Sequence, residues 1–125
     1  MGMEVERLPG EPIIIGRLLP PMNAAVDAKA VREESVRLSE DIVGTVYRII
    51  DLTQVELSLF DIMNGLSYDI AASPENHHFI MVGDQEMVRL TAEAAAQEQY
   101  GHRQVLAFTS VDAAIRHVRE TMTQG

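Results

Sequence analysis

Two aspartates, Asp51 and Asp84, each close a run of apolar and β-branched residues: "TVYRIID" over 45–51 and "HFIMVGD" over 78–84. Both runs read as strands, which places both carboxylates at strand carboxyl ends. In open parallel sheets, ligands bind beyond those ends. A pair of carboxylates there suits a metal or a general base, and each alone suits a turn or a helix cap. Between them lie Thr53-Gln54-Val55-Glu56 and Ser58-Leu59-Phe60-Asp61, both spaced as capping boxes. One of the two is expected to start a helix. A hydroxyl at a helix start is also electrostatically well placed to carry a phosphoryl group, so Thr53 and Ser58 have a second reading as phosphosites. Asp51, Thr53, Ser58, Asp61 and Asp84 together form the candidate interaction or ligand surface.

The histidines carry less. His77 and His78 are adjacent, and in an extended chain they point to opposite faces, which makes a poor chelate. His102 follows a glycine in an expected turn, and His117 falls on the last expected helix. Neither H-x-x-x-H nor H-E-x-x-H occurs, and G-x-x-x-x-G-K-[ST], G-x-G-x-x-G and G-x-S-x-G are also missing. There is no cysteine, which removes thiolate catalysis, disulfides and cysteine-bound zinc. A Ser-His-Asp arrangement has every residue type present but no supporting pattern. No catalytic residue, metal or cofactor is therefore expected.

The bulk composition bounds the partners. Ten basic residues stand against 19 acidic ones, giving a net charge of −9. Lys29 is the only lysine, and the arginines are scattered from Arg7 to Arg119. Such a chain repels a phosphate backbone, so nucleic acid is not an expected partner. No segment approaches the ~20 apolar residues of a membrane span. The start "MGMEVERLPG" lacks the pattern of a signal peptide, and membrane insertion is not expected. A cytoplasmic location is the default expectation.

Elements that position these residues follow from hydrophobic spacing. "MEVERL" and "PIIIGRLL" are two extended runs separated by Pro-Gly, an expected antiparallel hairpin. From Ala24 to Val43 the period lengthens: Ala28, Val31, Ser35, Leu38 and Ile42 share a helical face, and Gly44 is placed to end it. Residues 45–51 read as a central strand. In 57–70, Leu59, Ile62, Met63, Leu66 and Ile70 form a second helical stripe. Residues 78–84 and 104–109 read as buried strands, 85–101 as a helix capped by Asp84 and stopped by Gly101, and 111–122 as a helix capped by Ser110. Once past the hairpin, strands alternate with helices. That implies one α/β domain over 1–125 with right-handed crossovers, a mostly parallel four- or five-stranded sheet and an antiparallel edge.

This element order resembles the STAS-like domains, which include the anti-sigma-factor antagonists and a looser SpoIIAA-like set. The likeness covers nearly the whole chain. After the central strand, Asp51-Leu52-Thr53-Gln54-Val55-Glu56 is similar to the opening of the antagonists' D-L-S-x-V-x-x-I-D-S-S-G-L pattern. Leu59-Phe60-Asp61 stands where that family has Asp-Ser-Ser, Ile62 stands for its glycine, and Ser58 precedes the phosphorylatable position. "FIMVGD" and "VLAFTSVDAAIRHV" are similar to the last two units of the SpoIIAA-like set. The resemblance implies a STAS-like fold without the usual phosphorylation switch. It also implies a non-enzymatic regulatory or protein-interaction role through the helix after Thr53. The alternative is a pocket for a small apolar or lipid-like ligand, because the core must be aliphatic and methionine-rich. Continuous apolar strands also make a homodimer an expectation, as a way to hide an edge or a helix face.

Overall fold

The computed structural model describes residues 2–97 and 103–124. The chain runs β1 (Met3–Arg7), β2 (Ile13–Leu18), α1 (Ala24–Leu38), β3 (Val46–Asp51), α2 (Leu59–Gly65), a π-helical segment (Leu66–Ile70), β4 (His77–Val82), α3 (Gln85–Ala95), β5 (Val105–Phe108) and α4 (Val111–Gln124). All five strands form one sheet in the order β1-β2-β3-β4-β5. β1 runs antiparallel to β2 through a hairpin turn in which Gly10 has φ 75°. β2, β3, β4 and β5 are parallel neighbours. The architecture is the α/β fold with an N-terminal hairpin that the spacing implies.

Strand order explains where the helices go. Each crossover steps one strand in the same direction, so right-handed connections place successive helices on one face. α1 contacts both α2 and the π-helical segment, and α3 contacts the latter. Ile62, Leu66, Ile70, Val88 and Ala95 from this layer pack on Ile50, Phe79 and Met81 of the sheet. The alternate residues point the other way: Ile13, Ile15, Ile49, Ile80 and Val82 are covered by Ala114 and Val118 of α4. Three crossover connections thus cover one face, and α4 covers the other.

Several features differ from the spacing. α1 stops at Leu38, five residues before Val43. The Ser39 hydroxyl donates to the Val36 carbonyl, and the chain leaves through tight turns. Gly44 does not cap the helix. It lies in the following loop at φ 97°, and its carbonyl accepts from the Asn76 amide. The second helix starts at Leu59 rather than 57 and widens after Gly65 into a π-helical turn, with the Ala71 amide donating to the Leu66 carbonyl. β5 is an edge strand with Leu106 47% exposed, not the fully buried strand its composition implies. Asp84 caps α3 and Ser110 bonds the start of α4 as expected. α3 ends at Ala95 with Ala96 as its C-cap, six residues before the expected stop at Gly101; Gly101 and His102 themselves lie outside the described residues.

Candidate functional site

The five candidate surface residues are all engaged in local turns at the carboxyl end of the sheet. Asp51 is buried at the end of β3. Its carboxylate accepts from the Thr53 amide at 2.9 Å and the Thr53 hydroxyl at 2.6 Å, and lies 3.8 Å from Arg17 Nε. Asp51 and Thr53 are therefore two ends of one Asx turn, with β2's Arg17 as counter-charge. That commitment removes Thr53 from the first capping box. Ser58 and Asp61 form the second one: the Asp61 amide donates to Ser58 Oγ at 3.1 Å, and the Ser58 amide to Asp61 Oδ2 at 3.0 Å. Asp84 accepts from the Glu86 amide at 3.0 Å. The two strand-end aspartates each serve their own turn. Among the described residues, no three His, Asp or Glu side chains converge as a metal site.

Loss of the cap is a direct check on this assignment. Ser58→Ala is expected to lower stability by about 1 kcal/mol, the usual scale of an N-cap hydroxyl. Urea midpoints measure it, and a Ser58→Ala midpoint equal to that of the unmodified chain would contradict the capping geometry.

A polar cluster that the spacing does not reveal lies at the other end of the strands. Arg48, in the middle of β3, is 1% exposed. Its guanidinium donates to both oxygens of Asp69 at 2.8 and 2.9 Å, to Ser73 Oγ at 3.2 Å and to His77 Nδ1 at 3.2 Å. It also lies 4.9 Å from the Phe79 ring centre. His77 Nε2 is 3.3 Å from Ser39 Oγ. Two signals mark the cluster in retrospect: a single arginine inside an otherwise apolar strand, and an aspartate beside the buried stripe of Leu66 and Ile70.

Serine beside imidazole suggests a nucleophile and its base, but proton accounting decides otherwise. Arginine stays protonated and only donates, so His77 Nδ1 must accept. The neutral ring then carries its proton on Nε2 and donates to Ser39 Oγ. The Ser39 hydroxyl in turn donates to the Val36 carbonyl. The ring cannot take a proton from Ser39 in this arrangement. Burial, with the positive charges of Arg48 and Arg103 behind it, lowers the His77 pKa from 6.5 to about 4, which keeps it neutral. Ser73 Oγ accepts from Arg48 and donates to the Asp69 carbonyl at 2.7 Å. Both hydroxyl protons and the imidazole proton of the cluster have a place, as in a structural network.

His78 points away from His77 and is exposed, as an extended chain requires. His117, on α4, packs against Phe108 with ring centres 5.2 Å apart.

Two surfaces remain. A narrow apolar cavity of ≈ 40 Å³ opens between α1, α2 and the sheet, among Gly16, Ala28, Leu52, Ile62 and Met81. A void that takes benzene is about 150 Å³, so this one is far short of a lipid-like ligand. The outer face of the helix layer is apolar instead. On α2, Leu59 is 68%, Phe60 72% and Met63 46% exposed, and Tyr68, Val26 and Leu90 are exposed on the neighbouring helical segments. Of the stripe at 59–70, only Ile62, Leu66 and Ile70 turn inward.

No protein-family model, curated protein or solved structure matches this chain. Among the described residues, no helix is long and apolar enough to cross a membrane.

Proposed function

We propose that the chain is a non-enzymatic regulatory or protein-interaction domain of STAS/SpoIIAA-like type, acting in the cytoplasm, whose contact surface is the outer face of α2. The observation that carries this reading is the exposure of Leu59, Phe60 and Met63 on one short helix. Large apolar side chains cluster at a surface when something covers them. The capping box fixes how α2 enters, so the three side chains are presented from a defined helix start. The hairpin and three crossover units match the element order on which the resemblance rests. Ser58 acts as a cap in this reading, and no phosphoryl switch is needed.

A photo-crosslinking residue placed at Met63 tests the proposal in cells. One discrete adduct is expected, and it should be abolished by Leu59→Ser with Phe60→Ser while the thermal midpoint stays within a few degrees. The adduct is either a partner protein or a second copy of this chain, and mass spectrometry separates the two. The same probe at Arg116 on α4 serves as the control. Adducts equal at the two positions, or none at Met63, would sink the proposal.

A further inference from the structure

The sheet has a notch. β4 and β5 begin their pairing at Phe79 and Val105, so His77 and His78 have no β5 neighbour. α4, which covers that face, is tied toward the hairpin by Arg119, which donates to Glu11 at 2.7 and 3.0 Å. Together these leave a groove of ≈ 390 Å³ over the amino ends of β3, β4 and β5. That volume falls in the range of small-molecule sites, about 300–1,000 Å³.

The chemistry of the lining narrows the occupant. Only 5% of the chain is Phe, Trp or Tyr, yet flat rings meet here. Tyr47 and His78 are cross-strand neighbours with ring centres 6.1 Å apart, and His117 faces the groove from α4. The side-chain polar atoms of His78, His117, Gln104 and Glu75 have no hydrogen-bond partner among the described residues, so donors and acceptors converge unengaged. Arg103 offers no anion site. Its guanidinium already donates to the carbonyls of Ser73, Pro74 and His77. Glu75 and the chain's net charge of −9 further disfavour an anion.

We infer that this groove binds an uncharged, flat heteroaromatic ring, held by face and edge contacts with the nearly perpendicular Tyr47 and His78 rings and with His117, and by edge hydrogen bonds to Gln104 and Glu75. A purine nucleoside has this chemistry and a nucleotide does not.

Adenosine and its 5′-monophosphate are the probes, followed through the imidazole proton resonances of the intact chain. Adenosine is expected to move the His78 and His117 signals, leaving that of His77 in place, with a dissociation constant below about 1 mM. The monophosphate is expected to bind at least about tenfold more weakly, through repulsion from Glu75 and the acidic chain. His117→Ala, a half-buried helix position where alanine is tolerated, should weaken adenosine roughly tenfold, the scale of one lost ring stack. Tyr47→Leu should do the same. No saturable shift, unchanged affinity in His117→Ala, or a monophosphate that binds as well as the nucleoside would each overturn the inference.

Discussion

Asp69→Ala is expected to cost about 3–5 kcal/mol of unfolding free energy, the largest single-residue effect in the molecule. The carboxylate is 4% exposed and holds both of its oxygens against the Arg48 guanidinium. Removing it leaves a fixed positive charge inside the helix layer with no water to solvate it. Arginine cannot shed its proton to escape that cost. The loss is comparable with much of the stability of an ordinary small domain, about 5–15 kcal/mol. Replacing both partners together tells a different story. Arg48→Met with Asp69→Leu removes the unpaired charge as well as the pair, and such exchanges are often neutral or stabilising. Denaturant unfolding of the two variants is the measurement. A double variant no more stable than Asp69→Ala alone would show that geometry, rather than the stranded charge, sets the cost. Arg48 also donates to Ser73 Oγ and His77 Nδ1, and the double variant leaves both acceptors without that donor, so it is expected to retain a small deficit.

Acid is expected to weaken the fold through His77. In the folded chain its pKa is lowered from 6.5 to about 4, first by burial and then by Arg48 and Arg103. The unfolded chain therefore binds a proton at this site before the folded one does. Its contribution is fully present above pH 6.5, declines as pH falls from there toward 4, and is gone below. The full difference is at most about 3 kcal/mol, from about 1.4 kcal/mol per pKa unit. His77→Gln isolates it. Glutamine can accept from Arg48 and donate to Ser39 without titrating, so its unfolding free energy should fall less steeply across that window. Denaturant titrations at pH 7 and pH 4.5 measure the difference. Equal pH slopes for the two chains would mean that His77 takes up its proton alike in both states.

Much of the architecture could be read from residue spacing because it is written locally. Two-residue alternation in "MEVERL", near-four-residue recurrence through Ala28, Val31 and Ser35, and the Asp84 and Ser110 caps each act within a few positions. The hairpin and co-directional strands follow from them. What failed to show depends on distance in sequence. Thr53 and Ser58 were equal as helix starts until Asp51 claimed the Thr53 hydroxyl. Arg48 carries no local sign of its partners, because Asp69 is 21 residues away and His77 is 29. The π-helical turn has no residue signature of its own. Position in the sheet was equally hidden: Leu106 carries the same apolar character as Ile80, and only strand order makes it an edge. The five candidate residues do gather near one end of the sheet, but as turn and cap groups. The apolar face beside them depends on which side of α2 turns outward, which the stripe from Leu59 to Ile70 assigns to the core in full.

Every strand of this sheet pairs with the one made just before it. No late segment has to insert between two earlier ones, so the ladder can be extended in the order of synthesis, one crossover unit docking onto a finished edge at a time. Such topologies keep contacts short-range along the chain, which favours rapid assembly. The cost falls on the opposite face: Ile13, Ile15, Ile49, Ile80 and Val82 wait for α4, which follows all five strands along the chain, before they are shielded from water.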